Sequence, residues 1–174
     1  MKIALLFADG TEEIEALTPF DYLVRGGAKC DIFSLSGEII NGLHGIKVKA
    51  DKLIKDLDIS EYDGIIVPGG SIGSVTISEN TKAVEEIKRA YINGKMVASI
   101  CASPAVVLAG KEIVKGKKLT CYPAEKFIEV IGKNNTYTGA DVEIDGNVIT
   151  ANGVRSSDKF GIAICEYLGL KARF

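Results

Sequence analysis

Cys101 stands where an apolar run, Met96-Val97-Ala98-Ser99-Ile100, meets a segment of helical composition, Ala102 to Ala109, with no loop residue between them. A strand that becomes a helix within one residue lifts the junction side chain out of the sheet and onto the positive end of the helix dipole. A thiol held there is expected to ionise readily. Helix N-termini bring cysteine from a pKa of about 8.5 toward roughly 3.5 to 7.5, and the thiolate is the nucleophile. The plain alternative is a small buried hydrophobe, as most free cysteines are.

Two further segments could complete a site. Pro68-Gly69-Gly70-Ser71 ends another apolar run with residues free to turn backbone N–H groups toward a ligand, which is half of an oxyanion hole; the amide of Ala102 would be the other half. The same four residues also read as an ordinary tight turn. Glu12, Glu13 and Glu15 follow the first apolar run. Glu12 and Glu13 read as a solvated helix start favoured by the dipole. Glu15 instead falls among residues expected to face the sheet. Burial and a nearby thiolate would raise its pKa, giving a protonated acid able to donate to sulfur or to shuttle a proton.

The elements that must position these groups can be read from periodicity. Ile3 to Phe7 is a continuous apolar run of the kind a strand buried on both faces carries. Glu12 to Arg25 has Ile14, Leu17, Phe20, Leu23 and Val24 at helical spacing, with Gly26-Gly27 as the stop. Pro19 leaves two possibilities: a helix beginning at Thr18 with Asp21 closing a capping box, or an earlier helix kinked at the proline. Lys29 to Leu35 reads as a second, parallel strand, and residues 38–40 with 46–49 as a hairpin around His44. Asp63 to Val67 is a further strand, and Lys82 to Tyr91 an amphipathic helix before the Cys101 strand. Then come a short extended segment at Lys118 to Cys121, a helix over 124–131, a hairpin of 142–144 with 147–150, and a last helix capped by Ser156 or Ser157 and running to about Leu168. Strands alternating with helices imply a three-layer α/β fold, whose ligand site lies beyond the carboxyl ends of the strands.

Composition sets outer limits. A chain of 174 residues is expected to form a single domain over 1–174, burying roughly 70% of its unfolded surface. Hydrophobic residues at 47%, charged residues at 25% and a net charge of -2 argue against a nucleic-acid binder. The longest apolar stretches fall well short of the roughly 20 residues of a membrane span, and the N-terminus leads straight into a strand, so no membrane association and a cytoplasmic location are expected. Four cysteines without C-x-x-C spacing and a single histidine, His44, predict no metal site. A carboxylate is the more natural acid or base than the lone histidine.

Phe7 to Glu15, Val67-Pro68-Gly69-Gly70 and Ser99 to Pro104 together resemble the signature blocks of the ThiJ/PfpI family, in its DJ-one (parkinsonism-associated deglycase) branch, and the match runs from Lys2 to about Leu168. The resemblance implies a three-layer flavodoxin-like sandwich with a mostly parallel sheet, similar to class I glutamine amidotransferases. It implies Cys101 as the nucleophile, Glu15 as its protonated partner and the Gly70 and Ala102 amides as the oxyanion hole. Gly69, Ser71, Tyr122 and Arg155 are the expected substrate contacts around them. The resemblance further implies a homodimer packed through the first helix and the His44 hairpin, and no cofactor. The activities implied are glyoxalase or deglycase action on methylglyoxal and its adducts, or a redox-sensing and chaperone role through Cys101 oxidation. Peptidase and thiazole-phosphate biosynthesis labels follow at a distance.

The chain departs from the pattern in three places. Tyr122 stands where some relatives carry a histidine, which disfavours a Cys-His peptidase. Arg155, in the loop 152–157, adds bulk and positive charge where relatives often read Gly-Pro-Gly; it would recognise an anionic group or simply be an exposed loop arginine. The end at Phe174 suggests that an extra terminal helix is missing, leaving the pocket or an apolar surface more open.

Overall fold

The computed structural model describes residues 1–171. The expectation about the end of the chain falls partly on residues 172–174, outside the described residues. A seven-stranded sheet runs through the molecule in the order β10-β11-β7-β6-β1-β2-β5. Its strands are β1 (Lys2–Phe7), β2 (Lys29–Ser34), β5 (Lys52–Leu53), β6 (Gly64–Val67), β7 (Met96–Ile100), β10 (Val142–Asp145) and β11 (Val148–Ala151). All neighbours are parallel except the hairpin partners β10 and β11. Two small ribbons stand apart: the hairpin β3 (Ile39–Asn41) with β4 (Lys47–Lys49), and the parallel pair β8 (Lys118–Leu119) with β9 (Thr136–Tyr137).

The period-2 alternation of β1 explains the layering. Ile3, Leu5 and Phe7 enter one core with Ala16 and Leu23 of α1 (Glu13–Arg25) and Phe160 and Ile164 of α5 (Ser157–Tyr167). Ala4, Leu6 and Ala8 enter the other, with Ile77 of α2 (Gly73–Glu79), Ala83 and Ile87 of α3 (Thr81–Ile92) and Ile131 of α4 (Glu125–Gly132). These layers form the expected flavodoxin-like sandwich. Among the described residues no helix is long and apolar enough to cross a membrane.

Several expectations about local structure change. The first helix is one element from Glu13 with Pro19 inside it, so Asp21 closes no capping box and instead pairs with Arg25 at 2.6 Å. Ile14 and Val24 are exposed, because α1 turns Glu13, Glu15, Ala16, Pro19 and Leu23 inward. Helix α2 carries no local signal: its Gly-Ser-Val-Thr-Ile-Ser run has poor helical propensity, and packing decides it. After Cys101 the helical segment is a π-helix over Pro104–Ala109 only. At α5, Ser156 occupies the cap position, but its hydroxyl donates to Asn152 Oδ1 and caps nothing, while the Ser157 hydroxyl is buried without a partner.

Candidate active site

Strands β1, β6 and β7 are adjacent and parallel, with Val67 opposite Ser99 and Leu5 opposite Ile66, so their carboxyl ends open on one edge of the sheet. Glu15, Gly69, Gly70 and Cys101 all follow those ends. Cys101 holds φ at 65°, a left-handed conformation uncommon for a residue with a side chain. The strain is fixed from both sides: the Cys101 N–H donates to Ala151 O at 2.9 Å, and Cys101 O accepts from the Tyr122 N–H at 2.8 Å. The elbow read from the sequence therefore exists. It is tied to the Gly69-Gly70 loop by Ser103, whose hydroxyl donates to Pro68 O at 2.6 Å and lies 3.0 Å from Ser74 Oγ.

The Cys101 thiol and the Glu15 carboxyl lie close enough to shift each other's ionisation, and the amides of Gly70 and Ala102 lie near enough to the sulfur to favour its charged form. Glycine is required at two points here. A Cβ on Gly69 would strike Glu15 Oε2 and Cys101 Cβ, and one on Gly70, whose φ is 100°, would strike Gly10 O and Glu12 N. Gly153 closes another side, since a Cβ there would sit 4.0 Å from Cys101 Sγ and 3.9 Å from Glu15 Oε1.

Burial governs the electrostatics. Glu15 is 1% exposed, and desolvation raises its pKa to about 7. The bond to Cys101 opposes that rise, the charge of Glu12 adds to it, and the Gly69 amide opposes it without forming a well-aligned bond: Oε2 is buried with no hydrogen-bond partner. The thiol departs from expectation. Desolvation first, then the charge and hydrogen bond of Glu15, push Cys101 up to about 12, against the lowering effect of the Gly70 and Ala102 amides. The expected lowering at a helix start is outweighed by this burial, and the segment that follows is a π-helix beginning at Pro104. Cys101 is thus a thiol beside a carboxyl that titrates near neutrality. Cys30 and Cys121 are likewise raised to about 12 by burial, so what distinguishes Cys101 is its partners.

A cavity of about 520 Å³ opens over the sulfur, lined by Glu12, Ile14, Glu15, His44, Cys101, Tyr122 and Val154. Tyr122, half exposed, forms part of that lining. Arg155 lines an adjoining cavity of about 690 Å³ that shares Tyr122 and Val154 with the first and also contains Asp141 and Lys159. Ser71 is exposed and lines neither cavity, so nothing brings it to the site.

Glu12 and Glu13 correct the sequence reading, since neither is a solvated helix start. Both are buried. Glu12 is the N-cap of α1, accepting from the Glu15 N–H at 2.8 Å. Glu13 accepts from the His44 N–H at 2.7 Å, from His44 Nδ1 at 2.9 Å and from the Ile46 N–H at 3.4 Å. Burial pushes the Glu13 carboxyl up, but these donors outweigh it and hold it below its usual value. The local sequence carries no signal for this, because the partners lie about thirty residues away in the β3–β4 hairpin. Glu12, Glu13 and His44 bring ligand-type atoms within 4.8 Å of one another, but three of the four carboxylate oxygens already accept hydrogen bonds, so the cluster reads as an internal network.

With the site geometry fixed, comparison with known proteins supplies its lineage. Residues 1–167 match the model of the DJ-1/PfpI family. The chain belongs to that family. It is 36% identical over 169 residues to the DJ-1 homolog B of Arabidopsis thaliana, covering 96% of this chain but 38% of the relative. Against the DJ-1 homolog A of the same plant it covers 42% of the relative, so the chain spans less than half the length of both plant proteins. A Pyrococcus abyssi protein named as a deglycase is 30% identical, with 87% of this chain and 89% of the relative aligned. Among solved structures, Drosophila melanogaster DJ-1beta superposes with a TM-score of 0.90 at 30% identity, covering 96% of this chain and 89% of that one. Oxidised Toxoplasma gondii DJ-1 gives 0.89 at 32% identity, covering 96% and 90%.

Proposed function

We propose that this DJ-1/PfpI-family protein is a cofactor-independent enzyme of the glyoxalase or deglycase kind, acting on small α-oxoaldehydes such as methylglyoxal or on their adducts. The observation that carries the reading is the apposition, in one cavity, of Cys101 and a Glu15 carboxyl that burial raises to about 7, with the Gly70 and Ala102 amides next to the sulfur.

The ionisation states favour activation in place over a stored thiolate. Ionised Glu15 takes the thiol proton as Sγ attacks the aldehyde carbon, and the Gly70 and Ala102 amides receive the developing oxyanion. That proton passes to the oxyanion, giving a neutral hemithioacetal. Glu15 then removes the hydrogen from C1 and returns it to C2 through an enediol, leaving a 2-hydroxyacyl thioester on Cys101. Water hydrolyses the thioester to a 2-hydroxy acid and restores the thiol. Ile14, Tyr122 and Val154 form an apolar wall suited to the carbon substituent of the aldehyde. The direct test is incubation of pure protein with methylglyoxal and assay of lactate: activity is expected, and a Cys101→Ala protein as active as the wild type would overturn the mechanism.

A redox-sensing or chaperone role through oxidation of Cys101 is a second reading. It is favoured by Glu15 Oε2, a buried oxygen with no partner that could donate, when protonated, to a sulfinate whose other oxygen meets the amides. Mass spectrometry after mild peroxide tests it, and oxidation of Cys30, Cys121 or Cys165 ahead of Cys101 would remove its basis.

The protein is further inferred to be a homodimer through α1 and the His44 hairpin. Ile14, Leu17, Thr18, Asp21 and Tyr22 of α1 and Ile46 of the hairpin line a shallow groove, with Ile14 and Ile46 each about half exposed. Light scattering of the wild type and of Ile46→Glu would test this, a monomeric wild type counting against it.

A further inference from the structure

The cavity over Cys101 contains two polar side chains that the mechanism above leaves unused, Glu12, which caps α1, and His44. His44 comes from the loop of the β3–β4 hairpin and faces the same space as Cys101 and Glu15. Its orientation is built. The carboxylate of Glu13, 2% exposed, takes the His44 backbone N–H on Oε1 and the imidazole Nδ1 on Oε2. The loop wraps closely round that carboxylate: a Cβ on Gly42 would strike it, and the Leu43 N–H is fastened to Thr11 O at 2.9 Å. Anchoring the hairpin needs only the backbone bonds to Oε1. The additional bond to Oε2 does something else, which is to fix the ring.

That bond also fixes the tautomer. Glu13 is held ionised and can only accept, so Nδ1 carries the proton and Nε2 is the nitrogen with a lone pair when the ring is neutral. A base whose remote nitrogen is oriented by a buried carboxylate, in one cavity with a cysteine nucleophile, matches the base-and-orienter arrangement of acyl-transfer enzymes. Glu15, 1% exposed, has little open approach to water, whereas His44 lines the same cavity with 65% of its side chain exposed, which makes it the better-placed base for an incoming water.

We infer that His44, positioned by Glu13, activates the water that hydrolyses the Cys101 thioester; this rests on the glyoxalase reading above. Nε2 removes a proton from water as its oxygen bonds to the thioester carbonyl carbon, with the oxyanion on the Gly70 and Ala102 amides. The tetrahedral species collapses by breaking the C–S bond. The electron pair returns to Sγ, which takes the proton from Nε2. The products are a 2-hydroxy acid and the free thiol, with no oxidant or reductant consumed.

The experiment is a rapid-quench time course of methylglyoxal with wild-type and His44→Gln protein, following the lactoyl adduct on Cys101 by intact-mass spectrometry and lactate in solution. The variant is expected to acylate at the wild-type rate but to release lactate about 100-fold more slowly, the usual scale of a lost general base, so that acyl-enzyme accumulates. Added imidazole is expected to restore part of the release in His44→Gly. A His44→Gln protein that releases lactate at the wild-type rate overturns the inference and leaves the glyoxalase reading intact, as does equal slowing of acylation and release. Wild-type protein forming neither adduct nor lactate overturns the reading beneath it, and the inference with it. His44 is largely exposed, so the variant is expected to fold, and its acylation burst is the internal check.

Discussion

Cys101, just past the end of β7, and Glu15, in the first turn of α1, lie side by side, and burial raises the carboxyl to about 7 and the thiol to about 12, so it is the carboxyl that titrates near neutral pH. The carboxylate is therefore the group whose protonation state changes under physiological conditions, and most of the expected behaviour of the site follows from it.

Replacing Glu15 with Gln removes both the base and the charge beside the sulfur. Turnover of methylglyoxal is expected to fall by roughly 10²- to 10⁴-fold. The Cys101 pKa should move down from about 12, because the Glu15 charge and hydrogen bond both raise it, yet stay above the ordinary thiol range because desolvation is the larger cause. Ultraviolet titration of the thiolate in the two proteins checks this; an unmoved midpoint would contradict the coupling.

The same shift has a consequence for stability. A carboxyl whose folded pKa is raised from 4.5 to about 7 stabilises the fold fully below pH 4.5, and that contribution is lost as pH rises through 7. The loss corresponds to about 3 kcal/mol across this window. Wild-type protein should therefore lose stability relative to Glu15→Gln between pH 4.5 and 7, measured by urea denaturation at several pH values. Parallel curves for the two proteins would refute the assignment.

If Glu15 is the base, kcat/KM for methylglyoxal should rise with pH through a midpoint near 7, because the carboxylate is the active form. A profile that is flat from pH 5.5 to 8.5 would mean that another group accepts the thiol proton.

Gly70→Ala tests the oxyanion hole and the backbone together. The new methyl group would run into Gly10 O and Glu12 N at a φ of 100°, a conformation whose strain costs roughly 1–3 kcal/mol for a residue with a side chain. Displacing the Gly70 amide should also lower kcat by about 10²- to 10³-fold. A lowered melting temperature with unchanged kcat would show that the amide is not used.

Ser103→Ala leaves Pro68 O without the hydroxyl that satisfies it, an orphaned buried acceptor costing about 1–3 kcal/mol. The Pro68-Gly69-Gly70 loop should loosen, so kcat is expected to fall with stability. Thermal melts and lactate assays on the variant measure both, and a full-rate, fully stable variant would remove the tether from the account.

The sequence by itself determined the layers and the elbow. Alternating burial along Ile3 to Phe7 and the sharp bend at Cys101 are local patterns, and both are found, although helix resumes only at Pro104 and not directly after Cys101. It placed Glu15 at the same sheet edge as Cys101, because adjacent parallel strands open their carboxyl ends together. Tertiary structure decided the charge states and the company the site keeps. The Cys101 thiol is raised because desolvation depends on everything packed round it, which no run of neighbours encodes. Glu12 and Glu13 look like solvent-facing acids in the chain, yet Glu13 is buried because a hairpin some thirty residues on folds over it and supplies its donors. His44 joins Cys101 for the same reason: their proximity is set by the meeting of two elements distant in sequence, and local propensity is blind to such contacts.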